Sequence, residues 1–192
     1  MRLKGTTVRV LDAMRRRRPP APPGGAVGIE PLGMGDVRSA VELLTGVLRV
    51  DPGDRGEQFA SDITGESRQM FVAKVSGQVI AYGRVIKLAA DEAAAGAPAG
   101  FYLSGVLVDP PWRGRGIGTA LTRTRLDWIF ARADEAFYVT GADNLASIRL
   151  HAVLGFEEVK RLASGRSAAG ADVLSRLTTA ACTGVGAFAR DE

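Results

Sequence analysis

Cysteine and histidine are almost missing from this chain: its 192 residues hold one of each, Cys182 and His151. One thiol excludes an intrachain disulfide and any metal site built on cysteine alone, so no metal is expected. That usage fits a reducing, cytoplasmic setting. Long apolar runs are missing too. None approaches the ~18–20 residues needed to span a bilayer, so no membrane contact is expected. The start is basic, but no apolar stretch follows it, and no secretory signal is expected. Aromatic residues make up only 6% of the chain, yet the hydrophobic fraction of 46% suffices for a folded core.

A sequence pI of about 9.6 suggests a nucleic-acid partner, but the basic residues are unevenly spread. Residues 1 to 25 carry Arg2, Lys4, Arg9 and Arg15 to Arg18 against the single acid Asp12, a local charge of +6. The whole chain carries +4, which leaves −2 for the remainder. The basic character therefore sits in a Pro/Arg-rich tail, residues 1 to 25, whose composition cannot bury a core. Arg15 to Arg18 could meet an acidic partner, but a solvated tail accounts for them as well, and a nucleic-acid partner is not expected.

One domain is expected over residues 26 to 192. Ala26 to Glu30 reads as a strand. A helix runs from a cap at Asp36 to about Arg49, with Val37, Val41, Leu44 and Leu48 on one face. A weaker helix covers Arg55 to Ile63. Met70 to Val75 and Val79 to Leu88 form a hairpin around Ser76-Gly77-Gln78. A loose Ala/Gly loop from Ala89 to Gly100 leads to a strand over Phe101 to Val108. Helices are expected at Gly114 to Ala133 and Asn144 to Leu154, with strands at Phe137 to Thr140 and Glu157 to Arg161. The segment Leu162 to Cys182 is ambiguous, with a helix suggested near Asp172 to Ala180 and a last strand over Gly184 to Ala189. This order predicts an α/β (α+β) fold: a mixed, mostly antiparallel twisted sheet of six to seven strands with helices on both faces.

The strongest local signal is Val106 to Gly118, VLVDPPWRGRGIG. A buried strand, Val106-Leu107-Val108, ends at two prolines, which cannot donate to a ladder. Gly114, Gly116 and Gly118 then alternate into a helix that opens Ile117-Gly118-Thr119. Glycines without Cβ let backbone N–H groups approach an anion, and a helix start adds unsatisfied donors and partial positive charge. That combination binds phosphate. Arg113 and Arg115 add charge at its rim. A Walker loop needs Gly-Lys-Ser/Thr, and lysine is absent here. A Rossmann loop needs its third glycine one residue later.

The segment resembles the coenzyme A loop of the GNAT N-acetyltransferase superfamily, Arg/Gln-x-x-Gly-x-Gly/Ala, on Arg113, Gly116 and Gly118. Val108 and Pro110 match the Val-x-Pro that precedes it, and Trp112 takes the aromatic place. The resemblance implies acetyl-CoA as cosubstrate, its pyrophosphate held by the loop amides and its pantetheine arm paired with Val106, Leu107 and Val108. Asn144 to Phe156, NLASIRLHAVLGF, is similar to the family's second signature. Asn144 suits a helix N-cap, His151 lies two turns on, and Gly155 ends the helix. Ser147, Leu150, His151, Leu154, Gly155 and Phe156 match phosphinothricin-type relatives. In that pattern His151 stands where a tyrosine often protonates the coenzyme A thiolate, so His151 is the candidate general acid, and Asn144, Ser147 and His151 join the cofactor-binding set.

The reaction so implied is direct attack of a neutral amine on the thioester, with a backbone N–H near Val108 stabilising the oxyanion. The general base is unassigned. The strand Phe101 to Val108 carries no carboxylate. Glu57, Asp62 and Tyr82 could reach an acceptor but read more readily as structural, and a water chain also serves. A small-molecule amine is the expected acceptor. A peptide acceptor, or a regulatory module that binds coenzyme A without turnover, are the alternatives, and a homodimer is compatible with the family.

Overall fold

The computed structural model describes residues 25–90, 96–163 and 170–184. The expected tail therefore lies outside the described residues apart from Gly25, as does the expected strand over Gly184 to Ala189 apart from Gly184. Seven strands form one sheet: β1 (Gly28–Pro31), β2 (Arg68–Val75), β3 (Gln78–Leu88), β4 (Gly100–Val108), β5 (Glu135–Gly141), β6 (Glu157–Ala163) and β7 (Ala171–Thr178). Their order is β1-β2-β3-β4-β5-β7-β6. Five α-helices accompany them among the described residues: α1 (Val37–Leu48), α2 (Arg55–Thr64), α3 (Ile117–Phe130), α4 (Leu145–Val153) and α5 (Thr179–Gly184). None of the described helices is long and apolar enough to cross a membrane.

Local sequence accounts for most of this order. Ser76 and Gly77 both take positive φ, 49° and 82°. That is the backbone of a two-residue I′ turn, and it sets the register of β2 on β3, Val75 opposite Gln78. Asp36 does not cap α1 with its side chain. Its carboxylate instead accepts from Gly33 N at 3.3 Å and Lys74 Nζ at 2.8 Å, bracing the 3-10 turn before the helix. Helix α1 buries Ala40 and Leu44, while Leu48, expected on the same face, is half exposed at the last residue of the helix.

Two layers of helix cover the sheet. On one face α1 and α2 pack Leu44 and Phe59 over Met70, Val72 and Tyr82. On the other, α3 sets Ile117 and Leu121 over Phe71, Ala73 and Ile80. Two corrections to the sequence expectation concern α3 and β7. Helix α3 begins at Ile117 rather than Gly114, because Gly114 and Gly116 hold φ of 72° and 79°, outside the helical region. The segment expected as a helix near Asp172 is strand β7, inserted between β5 and β6.

One irregularity in the sheet creates the site. Among the described strands only β4 and β5 pair in parallel, joined by a crossover through α3. Their ladder covers three pairs, Phe101 with Ala136 to Leu103 with Tyr138, and then stops. On the other side of β4, Arg84 pairs with Ser104 but Gly83 pairs with Val106. Gly105 is the extra residue, at φ 50°. A bulge of this kind bends and twists its strand. Here it coincides with the point where β4 leaves β5, and a cleft opens between their C-terminal halves.

Leu121 is fully buried between α3 and the sheet. Leu121→Ala is expected to cost about 2–5 kcal/mol of stability, read as a lowered midpoint in urea unfolding with an unchanged slope.

Candidate functional site

The cleft has a volume of about 800 Å³ and is walled by β4, the glycine loop, the start of α3, the end of β5 and helix α4. Of the site residues expected from sequence, Val106, Leu107, Val108, Arg113, Gly114, Gly116, Ile117, Gly118, Thr119, Asn144, Ser147 and His151 all line it. Arg115 does not: its guanidinium lies over the Trp112 ring, 5.6 Å from the centroid.

Backbone geometry makes β4 an open edge. Asp109 N donates to Ile80 O at 2.9 Å, so Asp109 faces β3. In an antiparallel ladder the direction alternates residue by residue, which turns the polar groups of Val108 and Val106 toward the cleft. The Val108 carbonyl accepts from Arg113 Nε at 2.9 Å, which ties the loop back to the strand. At the far wall, the first intrahelical bond of α3 runs from Ala120 N to Gly116 O. The N–H groups of Ile117, Gly118 and Thr119 precede that ladder and point out of the helix start. The two left-handed glycines leave nothing within 4 Å of where a Cβ would stand, so the loop presents bare backbone.

Helix α4 forms the opposite lip. Asn144 Oδ1 accepts from Ser147 N at 3.2 Å, the expected N-cap, and its amide donates to Thr140 Oγ1 at 3.1 Å. His151 lies flat on Tyr138, centroids 3.8 Å apart and planes 13° from parallel, with Phe156 edge-on at 5.2 Å. Its Nδ1 stands 2.8 Å from Ser147 O. A carbonyl can only accept, so Nδ1 carries the proton and Nε2 a lone pair. Nε2 is buried and has no partner among the described residues. Burial lowers the His151 pKa from 6.5 to about 4, helped by the nearby charge of Arg125 and opposed by the Ser147 bond. The general-acid role expected from sequence needs a protonated ring. Burial disfavours that form here, and the Nδ1–H faces Ser147 O.

Among the further lining residues that sequence reasoning missed are Thr122, Arg125 and Tyr138. Thr122 and Arg125 are fully buried on the inner face of α3, where helical periodicity calls for apolar side chains. The only sequence signal for them was that conflict. Glu57 is exposed, Asp62 is fully buried in a two-bond pair with Arg84, and Tyr82 packs edge-on against Phe59 at 5.4 Å. None of the three lines the cleft.

The sequence profile of the Acetyltransferase (GNAT) family matches residues 42–156. The chain belongs to the GNAT acetyltransferase family. Solved GNAT structures are similar in fold. Arabidopsis thaliana NAA60 in complex with acetyl-CoA is 17% identical, with a TM-score of 0.65 over 81% of this chain and 99% of that one. The ribosomal-protein-S18-alanine N-acetyltransferase of Escherichia coli is 23% identical, with a TM-score of 0.61 over 80% and 94%. The aminoglycoside antibiotic 6'-N-acetyltransferase AAC(6')-Ih of Acinetobacter baumannii is also 23% identical, with a TM-score of 0.60 over 74% and 98%. No curated protein matches the chain in sequence.

The GNAT cleft carries a pH signature. His151 holds fewer protons folded than unfolded between its folded pKa of about 4 and its ordinary 6.5. Its contribution is therefore complete above pH 6.5 and is lost as pH falls toward 4, by roughly 3 kcal/mol. Urea unfolding of the wild type should weaken by that much more than His151→Phe between pH 7 and pH 4. Parallel pH curves would show that the ring is not held neutral.

Proposed function

We propose that this GNAT protein transfers the acetyl group of acetyl-coenzyme A to a primary amine of a small molecule, by direct attack of the amine on the thioester. The observation that carries the reading is the unpaired edge of β4 leading straight into a glycine loop and helix start at one end of a single cleft.

The donor set suits the ligand. Coenzyme A combines a diphosphate with a long arm that contains two amides. Backbone N–H groups at Gly114, Gly116 and Ile117 to Thr119 are suited to hold the diphosphate, with the helix dipole and Arg113 adding favourable charge. The polar groups of Val106 and the N–H of Val108 are suited to pair with the arm as if with an added strand. Asn144 and Ser147 sit at the lip, and His151 offers the cleft an acceptor at Nε2 rather than a proton. The thioester supplies an activated carbonyl. The protein's share is to align it, to set an N–H of β4 near Val108 against the developing oxyanion, and to let solvent carry away the ammonium proton, since no carboxylate stands on β4. The mildly acidic charge of residues 26 to 192 favours a cationic amine.

Thermal unfolding with acetyl-coenzyme A tests the cleft without knowledge of the acceptor. At 100 times its dissociation constant the ligand should stabilise by about 2.7 kcal/mol, a shift of several degrees. Gly116→Val forces a β-branched residue into φ 79° at the helix start and should abolish that shift while the variant still unfolds cooperatively. A normal shift in the variant would remove the loop from the site. Thiol release across panels of small amines and peptides then identifies the acceptor, and turnover confined to peptides would overturn the small-molecule reading.

A further inference from the structure

A buried cation with no counter-ion among the described residues lines the cleft. Arg125 is 1% exposed. Its Nε donates to Leu121 O at 3.2 Å, Nη1 to Arg84 O at 3.2 Å and Nη2 to Thr122 Oγ1 at 2.8 Å. All three acceptors are neutral. A guanidinium has five N–H donors, so two are left over. Among the described residues no carboxylate forms an ion pair with it. The neighbouring cation, Arg84, is the contrast: it is satisfied by both oxygens of buried Asp62. Burial lowers the Arg125 pKa to about 9, the mark of a charge kept where charge is disfavoured.

Part of this arrangement is structural. The Arg84 carbonyl lies beside the β4 bulge, and Arg125 satisfies it. The side chain also lies tight on Gly83, where an added Cβ would come within 2.8 Å of Nε. One neutral donor would serve that need. A full charge with two N–H groups beyond those three bonds is more than the bulge requires, and buried charges are ordinarily paired.

Position decides which anion could pair with it. Arg125 follows Ile117 by eight residues, about 12 Å along α3. It therefore lies well beyond the helix start that suits the diphosphate, beside the β4 bulge at Gly105, toward which the arm paired along β4 would carry the acyl group. It also stands on the α3 face of the sheet, whereas α1 and α2 cover the opposite face. Thr122 beside it and His151 across from it belong to the same cleft.

We propose that Arg125 is the counter-charge for a carboxylate at the far end of the acyl group, so that this cleft takes the coenzyme A thioester of a dicarboxylic acid as a second donor beside acetyl-coenzyme A. This rests on the reading that the cleft binds a coenzyme A thioester. The transfer itself is unchanged. The amine nitrogen bonds to the thioester carbonyl carbon, the C–S bond breaks, the thiolate leaves and takes up a proton, and the amine gives one up. The distal carboxylate passes unaltered into the amide product.

The test is calorimetric titration of the full chain with succinyl-coenzyme A, acetyl-coenzyme A and free coenzyme A at one ionic strength. The wild type should bind succinyl-coenzyme A at least tenfold more tightly than acetyl-coenzyme A. Arg125→Met should bring that ratio to within about twofold of one, and Arg125→Lys, which keeps a charge in a similar volume, should retain part of it. Equal affinities in the wild type overturn the proposal without recourse to any variant, as does a preference that survives in Arg125→Met. Failure of all three ligands to bind would overturn the reading of the cleft itself.

Discussion

Everything at this site depends on a ladder that stops. Strands β4 and β5 are parallel neighbours in a continuous sheet, yet only three residue pairs join them. Unpaired backbone in a folded protein is costly unless something else satisfies it. The break is imposed from the other side of β4, where the extra residue Gly105 bends the strand away. Rigid pairing to β3 on one edge and to β7 on the other holds the gap open, because neither strand can relax toward its partner without breaking its second ladder. The cleft is thus a property of the sheet, and the glycine loop and α4 only furnish its ends.

The side chains around the gap are poised by burial. His151 is fixed in one tautomer by Ser147 and in one plane by Tyr138 and Phe156. Arg125 is held among neutral acceptors. Both residues line the same cleft.

The elements that make this pocket were unequally legible in the sequence. The glycine loop and helix start were readable because they lie in one stretch, Arg113 to Thr119, whose alternating glycines would weaken any ordinary helix or strand. The α4 lip was readable for a similar reason, being one continuous stretch from the cap at Asn144 to the stop at Gly155. Strand β7 was not. Its residues 172–175 and 177 are buried, so it reads as a run of mostly buried side chains without alternation, and such a run cannot be told from a helix by period alone. The splay itself was invisible, because Ser104-Gly105-Val106 carries no mark of a bulge until its partner's register is known. Arg125 was hidden by its neighbours, since an arginine on a helix is read as solvated.

Strand β7 also sets an order of events. It follows β6 in the chain but lies inside it in the sheet, between β5 and β6. While the protein is being synthesised, the first 163 residues can emerge with β1 to β5 assembled, yet the outer edge of β5 has no partner and β6 has no place to dock. Chains grow at about 5–20 residues per second, so that edge stays exposed for a time set by the ribosome rather than by folding. An open edge bearing Ala136 and Tyr138, two residues of the mature core, is a surface on which strands of other chains can pair. The segment least legible in the sequence is therefore the one whose arrival separates a finished domain from an aggregation-prone one.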